Sequence, residues 1–478
     1  MRGAGGLMPG VRGEVAGVRL AEVLGGELGA DCRAGGWGRL GVRCYYRGFN
    51  VWVEVSHSRG CAEEGAGSAV ERGLADLAVA LRAEGGLLDV PEQQLPEAAR
   101  RASYGAKVFV QGDYGGSLLQ FLERSAGRKA EPATGWFEGL DLPSVKALVE
   151  STVEFMAGEE EAGRLEAEAR SLFQELVRSL AGLDPGGGVR ARLYDVLYRL
   201  YGLSAAGAGD PDVVFGHAAL SIMLAAVLYE HVRSARPGAG LQPIARHVDE
   251  RGAVEGLGRA FRDLLRLGYR AAAEPAIEIL DALPRRAESA VRALADLAVR
   301  VASRRGLLGR DLAGRLYHRV AGDIALRKGL ATFYTEVPAA HLLATLAALS
   351  LLGLDERSPL DLSEGEARGM VDRARSVKVG DFACGSGTLL TASHNALMRA
   401  AATLRFHHGL DDVDLNDIGR ALVEEGVYGV DVLRYASQIT AINLALAAPG
   451  AARENIYTIR LGYTPGKGAW LGSLELLN

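Results

Sequence analysis

Lysine is nearly missing from this chain. Of its 54 basic residues only Lys107, Lys129, Lys146, Lys328, Lys378 and Lys467 are lysine, and we attribute the arginine bias to base composition. Arginine still suits phosphate contact. With a net charge of −5 the chain is not a wholly basic nucleic-acid binder, although a local basic face remains open. Cysteine is rarer. Cys32, Cys44, Cys61 and Cys384 are too few and too scattered for a disulfide framework or a zinc ribbon. The expectation is a reduced, cytoplasmic protein with no metal. No continuous apolar run reaches the roughly 18–20 residues that a membrane span needs. The opening "MRGAGGLMPGVRGEVAG" lacks the apolar region of a signal peptide, so no membrane partner is expected.

What remains is an ordinary globular composition, 48% hydrophobic and 24% charged over 478 residues, enough for two to four domains. Residues 1–105 read as mixed α/β. "GRLGVRCYYRGFNVWVEVS" predicts two strands about a turn at Arg47-Gly48, and "SAVERGLADLAVALRAEGG" predicts a helix. Residues 106–305 are mainly helical in pattern, with breakers near Asp184-Pro185, Gly207–Pro211, Pro237 and Pro284 and no fixed repeat. A helical scaffold is expected there. From 306 to 478 the pattern changes. "VKVGDFA", "GVYGVDV" and "ENIYTIRLG" read as short strands, the first two each followed by a helix, which implies a parallel sheet. The fold class expected is multidomain, α/β plus all-α.

The chemistry concentrates in "VGDFACGSGTLLTA", residues 379–392. Asp381 closes a strand, Gly385 and Gly387 permit a tight turn, and a helix opens at Thr388. A phosphate loop requires lysine after the last glycine, and Thr388 stands there. A dinucleotide loop requires a third glycine, and Leu390 stands there. S-adenosyl-L-methionine carries no phosphate, and an acid such as Asp381 suits its amino group.

These residues carry a resemblance. "DFACGSGTLL" resembles motif I of the S-adenosylmethionine-dependent DNA adenine-N6 methyltransferases of restriction–modification systems, with type I modification subunits and fused type II enzymes as the two forms. Three further stretches follow the family's order. "KGLATFYTEVPAAHLLA" resembles its Phe-Tyr-Thr-Pro motif, with Glu336 in place of proline. "GVYGVDVLRYASQITAINLAL" resembles motif II, and "AWLGSLELL" resembles motif III, with Ser473 where an aspartate is common. The resemblance covers about a third of the chain. It implies a class I, Rossmann-like methyltransferase sheet of strand order 3-2-1-4-5-7-6. It also implies a cofactor site. Asp381, Ala383, Cys384, Gly385 and Gly387 would form the loop, and Tyr334 and Thr335 would cover the methionine end. Asp431 would hold the ribose, while Val432 with Leu433, and Leu474 beside Ser473, would line the adenine. Thr335 is also placed to cap the helix that follows it.

The family's catalytic Asn/Asp/Ser-Pro-Pro-aromatic motif is not in the sequence, so no catalytic residue is assigned to this chain. Only the first three strands of the family's sheet are expected here, with strand one as an exposed edge. A second polypeptide supplying the remaining strands and a target-recognition domain is expected as partner, together with double-stranded DNA. A non-catalytic cofactor-binding or assembly subunit is the alternative. The amino-terminal "GVRCYYRGFNVWVEVSHSRG" resembles the nuclease-like module of some restriction–modification proteins. In that module two carboxylates hold a metal and a lysine sits near the attacking water. Asp31 and Glu54 are the candidate carboxylates here, but Ser56 occupies the lysine position. The expectation is a nuclease fold without its chemistry.

Overall fold

The structure is a computed structural model of mixed α/β class. It describes residues 9–34, 40–46, 49–72, 74–84, 87, 90–110, 116–157, 171, 173–175, 177–184, 186–198, 211–302, 335–451, 454–459, 461–464 and 468–472. The chain divides into two compact units. One contains Met1–Glu159, Pro359–Arg368 and Ala402–Val413; the other contains Glu160–Ser358, Gly369–Ala401 and Asp414–Asn478.

In the first unit helix α1 (Pro9–Leu28) precedes an antiparallel run of β1 (Asp31–Ala34), β2 (Leu40–Tyr46) and β3 (Phe49–Ser56). Helix α2 (Arg59–Glu71) then crosses to β4 (Leu77–Ala83), which lies parallel to β3. The alternation in "FNVWVEVS" assigns its two faces. Val51, Val53 and Val55 join Leu20 and Leu24 of α1 in one core. Trp52 faces the alanines Ala62, Ala66 and Ala69 of α2 in another. Small residues on α2 let the helix lie close to the sheet. The sheet continues beyond residue 105 through β5 (Tyr104–Val110) and β6 (Phe137–Leu140), giving six strands in sequence order. Helices α3 (Leu95–Arg101), α4 (Gly116–Ala126) and α5 (Leu142–Ala157) complete this part of the unit.

The second unit is built around α7 (Pro211–Ala235), which follows α6 (Gly188–Tyr198). Ile222, Met223, Leu224, Val227 and Leu228 of α7 are completely buried. Each such side chain contributes roughly 1.5–3 kcal/mol. Helices α8 (Ile244–Arg251), α9 (Ala253–Arg266), α10 (Arg270–Ala282) and α11 (Glu288–Ala302) pack into the same core. Then come α12 (Val337–Leu352), α13 (Glu364–Ser376), β7 (Val379–Asp381), α14 (Thr388–His408), α15 (Leu415–Ala421), β8 (Val427–Asp431), α16 (Arg434–Ala447) and β9 (Asn455–Thr458), with the start of α13 up to Arg368 and the end of α14 from Ala402 counted in the first unit. Strands β7, β8 and β9 form a parallel sheet in that spatial order, with β7 at an edge. A separate antiparallel hairpin, β10 (Leu461–Thr464) and β11 (Gly468–Leu471), follows. Helix α16 joins the helical core through Tyr435, Ile439, Ile442 and Leu446.

The two faces of the parallel sheet differ. Val427 and Ile456 lie in a core with Leu390 of α14 and Leu444 of α16. On the other face Phe382, Tyr428 and Tyr457, one at each strand, are 60%, 38% and 52% exposed. Helix α12 buries Ala340, Ala344 and Ala348 along one stripe and exposes Leu342, Leu343 and Leu346.

Three expectations are corrected. The helix expected over "SAVERGLADLAVALRAEGG" ends at Glu71, and "LAVALRA" is instead strand β4, paired with β3 and β5. Cys32 and Cys44 form a disulfide. They are directly paired across β1 and β2, so strand register brings them together where their spacing in sequence gave no signal. And a segment of membrane-crossing length and hydropathy does exist, Val214–Ala235, within α7. Of its most apolar window 89% is buried, as befits the central helix of a core.

The disulfide closes a short loop and should stabilise the first unit by about 2–3 kcal/mol. Thiol titration of the unfolded, unreduced chain is expected to count Cys61 and Cys384 alone, and reduction should lower the melting temperature. Four free thiols before reduction would contradict the pairing. A second expectation concerns pH. Burial lowers His217 from 6.5 to about 4 and His407 from 6.5 to about 3. Neither ring nitrogen of His407 has a hydrogen-bond partner. Above pH 6.5 both folded and unfolded chains hold these rings neutral. Below it the unfolded chain takes up protons that the folded chain refuses, so stability falls as pH drops towards 4 and 3. In His407→Phe this loss should be shallower, as read from urea midpoints across that range.

Candidate functional site

The site is built where β7 ends. Asp381 stands opposite Gly429 of β8, and the chain then turns through Phe382–Gly387 into α14. Two left-handed residues make that turn, Gly385 at φ +55° and Gly387 at φ +80°. They differ in surroundings. A Cβ on Gly385 would meet nothing within 4 Å, whereas one on Gly387 would lie 2.7 Å from Thr440 Cγ2. Gly385 therefore faces open space and Gly387 faces the protein. The Gly387 N–H donates to Cys384 O at 2.7 Å, which closes the turn. The Cys384 N–H donates to Val430 O at 3.0 Å, which fastens the loop to β8.

Asp431 closes β8 beside this loop. Its Oδ2 accepts from the Gly385 N–H at 2.9 Å and its Oδ1 from the Leu433 N–H at 2.8 Å. Burial pushes its pKa up, and these N–H donors oppose the shift. Each carboxylate oxygen keeps a second lone pair. Asp431 is buried, and it holds the loop. Asp381 Oδ1 accepts from the Ala383 N–H at 3.1 Å. Burial, followed by the charge of Asp431, pushes the Cys384 thiol far up, so it stays protonated and is not a nucleophile.

Sequence reasoning missed two contributors. Thr440 Oγ1 donates to Gly385 O at 2.8 Å, and Asn443 Nδ2 donates to Ser386 O at 3.0 Å. Both are on α16. Their signal was faint: two polar residues three apart within the apolar "ITAINLAL".

No protein-family model and no curated protein matches this chain. Asp381, Ala383, Cys384, Gly385, Gly387 and Asp431 come together at one end of the parallel sheet. Val432 is half-buried and packs against the helical core. Thr335 is exposed. It is not the cap of α12: Glu336 holds that position and makes no side-chain capping bond, because the helix starts one residue later than the spacing suggests. Tyr334, Ser473 and Leu474 lie outside the described residues.

The amino-terminal carboxylates do not converge. Asp31 pairs with Tyr45 and Glu54 with Gly41, so the two stand four residues out of register on strands separated by β2. Their backbones are roughly 16 Å apart on ordinary strand spacing. The side chain of Asp31 lies outside the described residues. Glu54 is buried, accepts from the Trp52 indole N–H at 2.9 Å, and is covered by Gly65, whose Cβ would meet its carboxylate at 2.5 Å. Across from Ser56 stands Arg82, bound to Glu84 and Glu138 at 2.7 and 2.6 Å. Among the described residues no cluster of three or more His, Cys, Asp or Glu is arranged for a metal.

The two glycines generate a test. Gly385→Ala is expected to cost only backbone strain, about 1–2 kcal/mol. Gly387→Ala should cost more, since its methyl group must also displace Thr440. Urea unfolding of the two variants should rank them in that order; equal losses would contradict the packing described.

Proposed function

We propose that this chain is the S-adenosyl-L-methionine-binding portion of a site-specific DNA adenine-N6 methyltransferase of a restriction–modification system, acting on double-stranded DNA. The observation that carries the reading is the Asp381–Gly387 loop. It lies at the carboxyl end of a parallel strand and is tied to a second acid, Asp431, at the end of the next. Ligands of open parallel sheets bind there.

The residues fit this cofactor better than a phosphate-bearing one. Residues 381–388 contain no lysine or arginine. The nearby Arg434 is engaged by Glu278 through two bonds of 2.9 and 2.7 Å. Two carboxylates and an open glycine face suit an amino group and a vicinal diol. Asp431 would accept from the ribose hydroxyls through its remaining lone pairs, in charge-assisted bonds. Asp381 would stand near the amino group. The open side of Gly385 would leave room for the ligand's close approach. The bound cofactor would supply an electrophilic methyl group. This chain's own part is to bind and orient it.

A class I, Rossmann-like methyltransferase sheet fits the order β7-β8-β9 as its strands one, two and three. Parallel sheets are ordinarily covered on both faces. Here β7 pairs on one side with β8, while Phe382, Tyr428 and Tyr457 are exposed, as are the leucines of α12. These features support a second polypeptide that adds a strand beside β7 and brings the Asn-Pro-Pro-aromatic motif, since no Pro-Pro pair occurs in this sequence. That same lack favours the second reading, a non-catalytic cofactor-binding or assembly subunit. Methyl transfer from labelled cofactor to DNA decides between them. Transfer is expected only when the polypeptide encoded next to this one is added. No transfer with that polypeptide present would leave the subunit reading.

Binding tests the site directly. Calorimetry with S-adenosylhomocysteine should show Asp431→Ala weaker than the parent by about 1.5–3 kcal/mol, the range for a hydrogen bond to a charged group. Unchanged affinity would remove Asp431 from the site.

A further inference from the structure

Helix α16 has two polar attachments that point in different directions. One set fixes it to the helical core. Gln438 Nε2 donates to Ala272 O at 2.8 Å, Arg434 binds Glu278 on α10, and the Tyr435 ring stacks on His217 with centroids 4.3 Å apart. The other set reaches the glycine loop, where Thr440 and Asn443 donate to the carbonyls of Gly385 and Ser386. Thr440 and Asn443 are buried, so their polar atoms must be satisfied inside the protein. They are satisfied by the carbonyl of Gly385, which itself has positive φ, and by that of Ser386, which lies between the two positive-φ glycines.

From this arrangement we propose that Thr440 and Asn443 are positioning residues, through which the helical core holds the loop in its ligand-binding shape. The inference rests on the cofactor reading above and extends it to two residues of the motif II stretch to which the resemblance assigned no role. Both backbone groups of Gly385 are occupied, its N–H by Asp431 and its C=O by Thr440. One peptide unit further on, Asn443 holds the Ser386 carbonyl. With Thr440 gone, the Gly385 carbonyl has no donor from α16 and the glycine is free to rotate. Rotation withdraws its N–H from Asp431 and turns that carboxylate away from a bound diol. The folded chain tolerates the rotation, because glycine occupies many backbone states. The ligand does not, because binding must then restore the ordered loop at its own expense. The helical middle, which by sequence alone is a scaffold without chemistry, in this account sets the affinity of the site.

The test uses the full chain and S-adenosylhomocysteine. Thr440→Val keeps the shape and removes the donor; Thr440→Ser keeps the donor. Asn443→Asp is nearly isosteric and sets an acceptor against the Ser386 carbonyl. Calorimetry is expected to show affinity about tenfold weaker in T440V, the loss of one buried hydrogen bond, at least that much weaker in N443D, where a buried acceptor also opposes the carbonyl, and parental affinity in T440S. Amide exchange at Gly385 and Gly387 should quicken in T440V while the amides of α16 keep their protection. A merely structural role would move neither the serine rescue nor the local exchange pattern. Should T440V fail to fold, N443D and T440S carry the comparison. Parental affinity in T440V or N443D overturns the positioning role and leaves the cofactor reading intact. A parent chain that does not bind S-adenosylhomocysteine overturns both.

Discussion

A buried carboxylate must find donors, and Asp431 finds two backbone N–H groups. Much of the second unit's site follows from that requirement. The donor from Gly385 belongs to a loop that must fold back over the end of β8, and only a residue comfortable at positive φ does so cheaply. Gly387 then turns the chain into α14 against Thr440, where no side chain fits. The loop is held from three sides: by β8 through Cys384, by Asp431, and by α16 through Thr440 and Asn443. A loop held this firmly around an open glycine is shaped before any ligand arrives.

The same sheet places a constraint on its surroundings. Its inner face is covered by α14 and α16, whereas its outer face presents one aromatic ring at each strand. Apolar surface in that position gains free energy when covered. Leu342, Leu343 and Leu346 of α12 repeat the pattern on a helix that buries three alanines and Leu352. Binding of a cofactor and docking of a strand would therefore meet at β7, because the strand that pairs only with β8 among the described residues is also the one that ends in Asp381.

Some local features were legible in the sequence and most tertiary ones were not; "LAVALRA" reads as helix because β4 is buried on both faces and so shows no polar–apolar alternation. The alternation of 40–56 predicted β2 and β3, and the glycine loop predicted the turn between β7 and α14, because both depend on neighbouring residues. The Cys32–Cys44 pair was illegible because it depends on the register of β1 against β2. Register also parts Asp31 from Glu54, the two carboxylates that the sequence offers as one candidate site. Strands β5 and β6 were hidden because one follows a short helix and the other has four residues. Thr440 and Asn443 look like interruptions in an apolar helix until the loop carbonyls are seen beside them.

The central claim is that the loop between Asp381 and Asp431 receives S-adenosylmethionine. A crystal of the full chain grown with S-adenosylhomocysteine tests it most directly. The account predicts the ribose hydroxyls on the Asp431 carboxylate, with the Gly385 and Leu433 N–H bonds retained, and the ligand lying along the open side of Gly385. A ligand bound elsewhere, or a loop unchanged and empty beside saturating ligand, would contradict it.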